Sequence, residues 1–138
     1  MTSINKLLAL WLLGLFISTP LLASEVSPLQ IDGATTIRSS EAKALFDQGI
    51  LFVDVRSDAD WEAGRIPGAI HLDVKKTLSE ATLSAEASRD DKIVIYCNGE
   101  KCLRSAEACI LAVSWGFTQI NYFREGFPAW KAGANPTE

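Results

Sequence analysis

Reactive side chains are scarce in this chain: its 138 residues include one histidine and three cysteines. With one histidine, any Ser-His-Asp or Cys-His chemistry would depend on His71 alone, and nothing in the element order brings it to a nucleophile. Three cysteines cannot all pair within one chain. Cys97, Cys102 and Cys109 also lack the short paired spacing of a zinc site, so neither a disulfide-built scaffold nor a metal centre is expected, and no cofactor is implied. Basic residues are in deficit, with 13 Lys+Arg against 17 Asp+Glu and a net charge of -4, which offers nothing to a phosphate backbone and excludes nucleic acid as a default partner. Repeats, low-complexity stretches and internal linkers are absent. What is present is 48% apolar and 22% charged residues, the composition of one ordinary core and one domain.

The apolar residues are unevenly spread. Leu7 to Ile17 reads LLALWLLGLFI, and no charge falls between Lys6 and Glu25. A basic residue, an apolar stretch, a breaker at Pro20 and a small residue at Ala23 form the pattern of a secretory signal over residues 1–23. The run falls short of the roughly 20 residues of a membrane-spanning helix. The expectation is a domain over residues 24–138 in the periplasm or otherwise exported, touching a membrane only through an uncleaved signal. Export places its thiols in an oxidising environment.

From residue 24 to 33 the chain reads as an irregular arm. Ser39 or Ser40 is a candidate cap for a helix carrying Ala42, Leu45 and Phe46 on one face and ending at Gly49. Leu51–Val55 and Ile93–Tyr96 are unbroken apolar runs, the pattern of strands covered on both faces. Between them lie a short helix near Ala59–Ala63, a turn at Pro67-Gly68, a strand at Ala69–Leu72 and a helix over Thr77–Ala87. Ala106, Cys109, Ile110 and Val113 repeat as a helix stripe. A strand at Ile120–Phe123 and a helical turn at Pro128–Lys131 complete an α/β domain, its mostly parallel central sheet covered by helices on both faces.

Chemistry concentrates in Tyr96-Cys97-Asn98-Gly99-Glu100-Lys101-Cys102-Leu103-Arg104-Ser105. Cys97 stands where a buried strand ends, and strand carboxyl ends are where open α/β sheets bind ligands. The following helix offers unpaired N–H groups and positive potential, while Lys101 and Arg104 add charge. Together these should lower the Cys97 pKa and make it a nucleophile without a neighbouring base. Cys102 is spaced to approach Cys97, either to resolve it through a disulfide or to protect it; a loop thiol that never meets Cys97 is the other reading. Cys109 belongs to the apolar stripe, Asp54 and Arg56 to the strand end, His71 to a sheet edge, and Trp61 and Trp130 to packing, with Trp130 a candidate pocket wall.

Four segments in order resemble single-domain rhodaneses over roughly residues 30–134: Leu51-Phe52-Val53-Asp54-Val55-Arg56; Trp61 to His71; Tyr96-Cys97 with its loop and Arg104-Ser105-Ala106; and Gly126-Phe127-Pro128-Ala129-Trp130. The resemblance implies a sulfurtransferase in which Cys97 takes a sulfane sulfur from a small anionic donor such as thiosulfate and passes it to a thiol or cyanide acceptor. It implies that residues 98–105 hold the donor, with a redox or sulfur-relay protein as a candidate partner. Two positions depart from the family pattern. The spacing from Cys97 to Arg104 is Cys-x6-Arg, two residues longer than the common Cys-x4-Arg, and Glu125 replaces a glycine, setting a carboxylate near the pocket mouth. The longer loop makes arsenate reduction or phosphate-ester hydrolysis the enzymatic alternative. A non-catalytic sulfur carrier or partner-binding module is the alternative of another class.

Overall fold

The computed structural model describes residues 25–138, and the expected signal segment lies outside them. Five strands, β1 (Ala34–Thr36), β2 (Leu51–Asp54), β3 (Ile70–His71), β4 (Lys92–Tyr96) and β5 (Gln119–Phe123), form one sheet in the order β1-β5-β4-β2-β3. Every pairing is parallel. Between and after the strands run α1 (Ser39–Asp47), α2 (Asp58–Ala63), α3 (Glu80–Glu86), α4 (Arg104–Ser114) and α5 (Gly126–Ala132). No helix among the described residues is long and apolar enough to cross a membrane.

The unbroken apolar strands are buried on both sides because successive side chains point to opposite faces. Val53 and Val55 of the β2 segment and Ile93, Ile95 and then Cys97 of the β4 segment join one core, with Leu83 of α3 and Ala106, Cys109 and Ala112 of α4. Phe52, Val94 and Tyr96 face the other core, with Ala42 of α1 and Phe127 and Trp130 of α5. Each fully covered Ile, Val or Phe contributes about 1.5–3 kcal/mol relative to exposure. The same alternation aims the Cys97 side chain at α4.

Several local boundaries differ from the sequence pattern. Neither Ser39 nor Ser40 caps α1; both lie inside it, and the N-cap is Arg38, whose N–H is taken by Glu41 at 2.8 Å. α3 starts at Glu80, where Ser79 and Thr82 satisfy each other's end of the chain; Thr77 and Leu78 instead turn back to the Asp73 carbonyl. β3 is only two residues long, and α5 starts at Gly126, two residues earlier than Pro128 suggests.

The connection leaving β2 runs toward β3, whereas the one leaving β4 runs the opposite way toward β5. Between these neighbouring strands chain directions part, and that is where open α/β sheets leave a crevice beyond the strand carboxyl ends. Asp54 pairs in register with Tyr96, so the β2 end meets the residue before Cys97.

Candidate active site

Cys97 is the first residue past β4, and its side chain has no exposed surface. Its Sγ–H reaches Ser105 Oγ at 3.2 Å and the Cys102 carbonyl at 3.5 Å. Alternation along β4 sends the sulfur toward α4, and α4 begins seven residues later. The α2 and α3 N-termini are capped by Ser57 and Ser79, but the α4 N-cap is Leu103, which has no capping side chain. The first-turn N–H groups of α4 therefore remain for other acceptors. Ser105 N–H faces the Cys97 sulfur, and the Asn98 and Arg104 N–H groups face the Cys102 sulfur.

These surroundings divide the two thiols in a way the sequence reading did not anticipate. The hydrogen bond between them and the burial of Cys97 push the Cys97 thiol above the ordinary range, outweighing the help of Ser105. The same hydrogen bond, together with the Asn98 and Arg104 amides and the Arg104 charge, brings Cys102 down to about 6. The expected lowering at Cys97 thus falls on Cys102. Cys102 is half-buried, so its thiolate is partly solvated, while Cys97 would be ionised in a dry interior. Cys109, fully buried in the core beneath α4, has its pKa raised by burial alone, consistent with a packing role.

The loop is clamped at several points. Phe127 N–H donates to the Cys97 carbonyl at 2.8 Å, and Cys102 N–H to the Gly99 carbonyl at 3.0 Å. Ser27 holds the Glu100 carbonyl through its N–H at 2.8 Å and its hydroxyl at 2.7 Å. Arg124 grips the Ser27 carbonyl at 3.0 Å and pairs with the Glu100 carboxylate at 3.1 Å. Asn98 donates to Asp60 at 2.8 Å and accepts from Arg56 at 3.3 Å. Arg56 is itself fixed by a buried fork to Asp54, with Nη2–Oδ2 at 2.6 Å, and by the Gly64 carbonyl at 2.7 Å. The Asn98 and Glu100 side chains, read as donor-binding, are thus engaged in holding the loop.

Of the remaining loop residues, Lys101 is exposed, Gly99 is buried, and Leu103 is 39% exposed beside the start of α4. Arg104 opens α4 and is balanced by the buried Asp73 at 2.8 Å. Glu125 does not turn its carboxylate across the loop mouth; Oε1 accepts Ser39 N–H at 3.1 Å. His71 lies on the edge strand β3, with β2 between it and β4, bonded to the Arg56 carbonyl at 2.8 Å and stacked on Trp61. Trp130 walls no pocket: it is buried against Phe46 and Phe52, with its N–H on the Pro136 carbonyl. Cavities of about 360 and 370 Å³ flank the loop, one lined by Glu100 and Glu125 and the other by Leu103 and Ala106, and Cys97 lines neither.

The sequence reading missed Ser27, Asp60, Asp73 and Arg124. Ser27 sits in an arm without periodicity. Arg124 and Asp73 follow strands at their carboxyl ends, the one positional signal that could have marked them.

An all-parallel sheet with a cysteine-bearing loop between β4 and α4 defines a known class. Residues 39–133 match the model of the rhodanese-like domain, and the chain belongs to that family. It is 33% identical over 96 residues to thiosulfate sulfurtransferase GlpE of Pseudomonas savastanoi pv. phaseolicola, covering 70% of this chain and 86% of the relative. The human single-domain sulfurtransferase TSTD1 superposes with a TM-score of 0.58 at 25% identity, covering 70% of this chain and 95% of the human one. The Alr3790 protein of Anabaena superposes with a TM-score of 0.65 at 25% identity, covering 74% and 90%. Within its family, then, this chain is a sulfurtransferase.

Proposed function

We propose that the protein moves a sulfane sulfur from thiosulfate, or a related small anion, to a thiophilic acceptor through a persulfide on Cys97. The observation that carries this reading is the position of Cys97 Sγ: at the carboxyl end of β4, 3.2 Å from Ser105 Oγ and facing the unfilled amides of α4. The relative from Pseudomonas is named for thiosulfate, which fits a site with Arg104 and Lys101 at its rim.

With the Cys97 thiol pushed up by burial and by its neighbour and the Cys102 thiol brought down, Cys102 is the member of the pair suited to accept the Cys97 proton. As Cys97 attacks the outer sulfur of the donor, its proton passes to Cys102 and the S–S bond of the donor breaks. Sulfite departs, and Cys97–S–S⁻ remains. Ser105, which accepts from the thiol, turns its hydroxyl to donate to the anionic sulfur. The first-turn amides of α4 hold the charge without reorganising. Cys97 has no exposed surface, so the donor reaches it only when the covering loop opens.

The protein is further proposed to act outside the cytoplasm after removal of residues 1–23; fractionation with N-terminal sequencing of the exported form tests this. Thiosulfate treatment of the reduced protein should release one equivalent of sulfite, with the transferred sulfur caught on the Cys97 peptide by rapid quenching and mass mapping, and Cys97→Ser should do neither. Arsenate reduction or phosphate-ester hydrolysis that far outpaced sulfur transfer would overturn the assignment.

A further inference from the structure

The loop holds a second thiol, which sulfur transfer uses only as a resting place for a proton. Cys102 packs against the same core cluster as Cys97, and the Cys102 N–H to Gly99 bond folds the loop back so that the Cys102 carbonyl lies 3.5 Å from the Cys97 sulfur. The Cys97 Sγ–H points at the Cys102 carbonyl at 3.5 Å, and the two thiols lie near enough for each to shift the other's pKa. Both are free thiols. Their exposures differ in the useful sense: Cys97 is closed to solvent, whereas Cys102 is half-exposed. An external acceptor must displace the loop to reach Cys97, while Cys102 is already there. An intramolecular thiol in contact has an advantage in effective concentration that no dilute acceptor matches.

We propose that Cys102 is a resolving thiol, which attacks Cys97 Sγ once the persulfide has formed and closes the loop as a Cys97–Cys102 disulfide. This rests on the persulfide reading above. The bond between Cys97 Sγ and the outer sulfur breaks as the Cys102–Cys97 bond forms. The outer sulfur leaves with the bonding pair and takes the Cys102 proton, so Cys97–S–S⁻ and Cys102–SH give the disulfide and HS⁻. The sulfane sulfur is reduced to sulfide, and the two cysteine sulfurs are oxidised. A dithiol reductant then returns both to thiols by exchange, itself becoming a disulfide. The partner class on this route is therefore a reducing dithiol protein or small dithiol, and sulfur that no thiophilic acceptor has taken leaves as hydrosulfide. The low position of the Cys102 pKa suits it to this role, because a thiolate is re-formed readily after each reduction.

The test uses the full reduced chain, freed of added thiol, mixed with an equivalent of thiosulfate. Sulfite and sulfide are measured, and the quenched, alkylated protein is mapped by mass. Wild type should release both anions and lose two hydrogens as a disulfide linking the Cys97 and Cys102 peptides. Cys102→Ala, which also removes the proton acceptor of the first step, should release sulfite more slowly but keep the extra sulfur on Cys97, with sulfide released per sulfite lowered at least about tenfold until a thiol is added. Cys102→Ser, closer in size, repeats the measurement should the alanine variant fold poorly. Wild type that keeps its extra sulfur on either cysteine, or a variant that releases sulfide as fast as wild type, overturns the resolving role. If no form takes up sulfur or releases sulfite, the persulfide reading falls, and the resolving role with it.

Discussion

Gly126→Ala tests whether the loop that carries Cys97 is held from behind by the start of α5. Gly126 has φ +64, and a Cβ built there would fall inside the Cys97 carbonyl oxygen and 2.7 Å from Gly99 N. Those are backbone atoms, so no side chain can rotate away. Left-handed strain costs about 1–2 kcal/mol, and overpacking against fixed atoms adds about 1–3 kcal/mol. Gly68 is the internal control: its φ is +74, but nothing lies within 4 Å of a Cβ there. Gly68→Ala therefore carries the strain alone, and both variants share the same unfolded-chain entropy change. At about 4 °C per kcal/mol for a domain of this size, Gly126→Ala should melt about 4–12 °C below Gly68→Ala by differential scanning calorimetry. Displacing the Cys97 carbonyl, which Phe127 N–H otherwise holds at 2.8 Å, should also slow sulfur uptake by about tenfold or more. Gly68→Ala should take up sulfur at the wild-type rate. Equal melting temperatures for the two variants would refute the close approach.

Three further outcomes follow from the same geometry. Cys102 is depressed to about 6, so its thiolate is present above that pH and lost below it; iodoacetamide labelling of Cys102, read by peptide mapping, should rise through pH 6 and outrun that of Cys97, and a rise only near the ordinary thiol range would count against the pairing. Ser105→Ala removes the hydroxyl 3.2 Å from Cys97 Sγ and should lower the rate of persulfide formation by about tenfold with little change in urea midpoint; an unchanged rate would show that the α4 amides suffice. Asp54→Asn leaves the buried Arg56 charge without its forked carboxylate and should cost about 3–5 kcal/mol in urea unfolding, and a loss below about 1 kcal/mol would mean that Gly64 and Asn98 hold Arg56 by themselves.

The arrangement makes Arg56 and Arg124 positioning residues rather than donor ligands. Arg56 ties the β2 end to Asn98, and Arg124 ties the β5 end and the arm at Ser27 to Glu100. Two strand ends and the arm are thereby braced against one six-residue span, two residues more than the common spacing. Glu125, the carboxylate that the sequence sets near the pocket mouth, accepts from the N-terminus of α1, where its charge is favourable.

Periodicity and local composition decided a good deal without any tertiary information. Unbroken apolar runs at 51–55 and 93–96 mark strands covered on both faces, because only burial on two sides tolerates such runs, and the alternation Ile93, Ile95, Cys97 already sets the sulfur on the face of the following helix. The family resemblance rested on segments close in sequence, and the matched residues 39–133 include all four. What sequence could not decide were interactions between residues far apart in the chain: Ser27 with Glu100, Arg56 with Asn98, Arg104 with Asp73, Glu125 with Ser39. Such pairs follow no period, since each depends on which strand ends the sheet order makes neighbours. The division of charge between the two cysteines was decided there as well. Formal charges at Lys101 and Arg104 suggested an acidic Cys97, but the contact between the two thiols, complete burial of the Cys97 sulfur and the direction of the Asn98 and Arg104 amides put the lower pKa on Cys102.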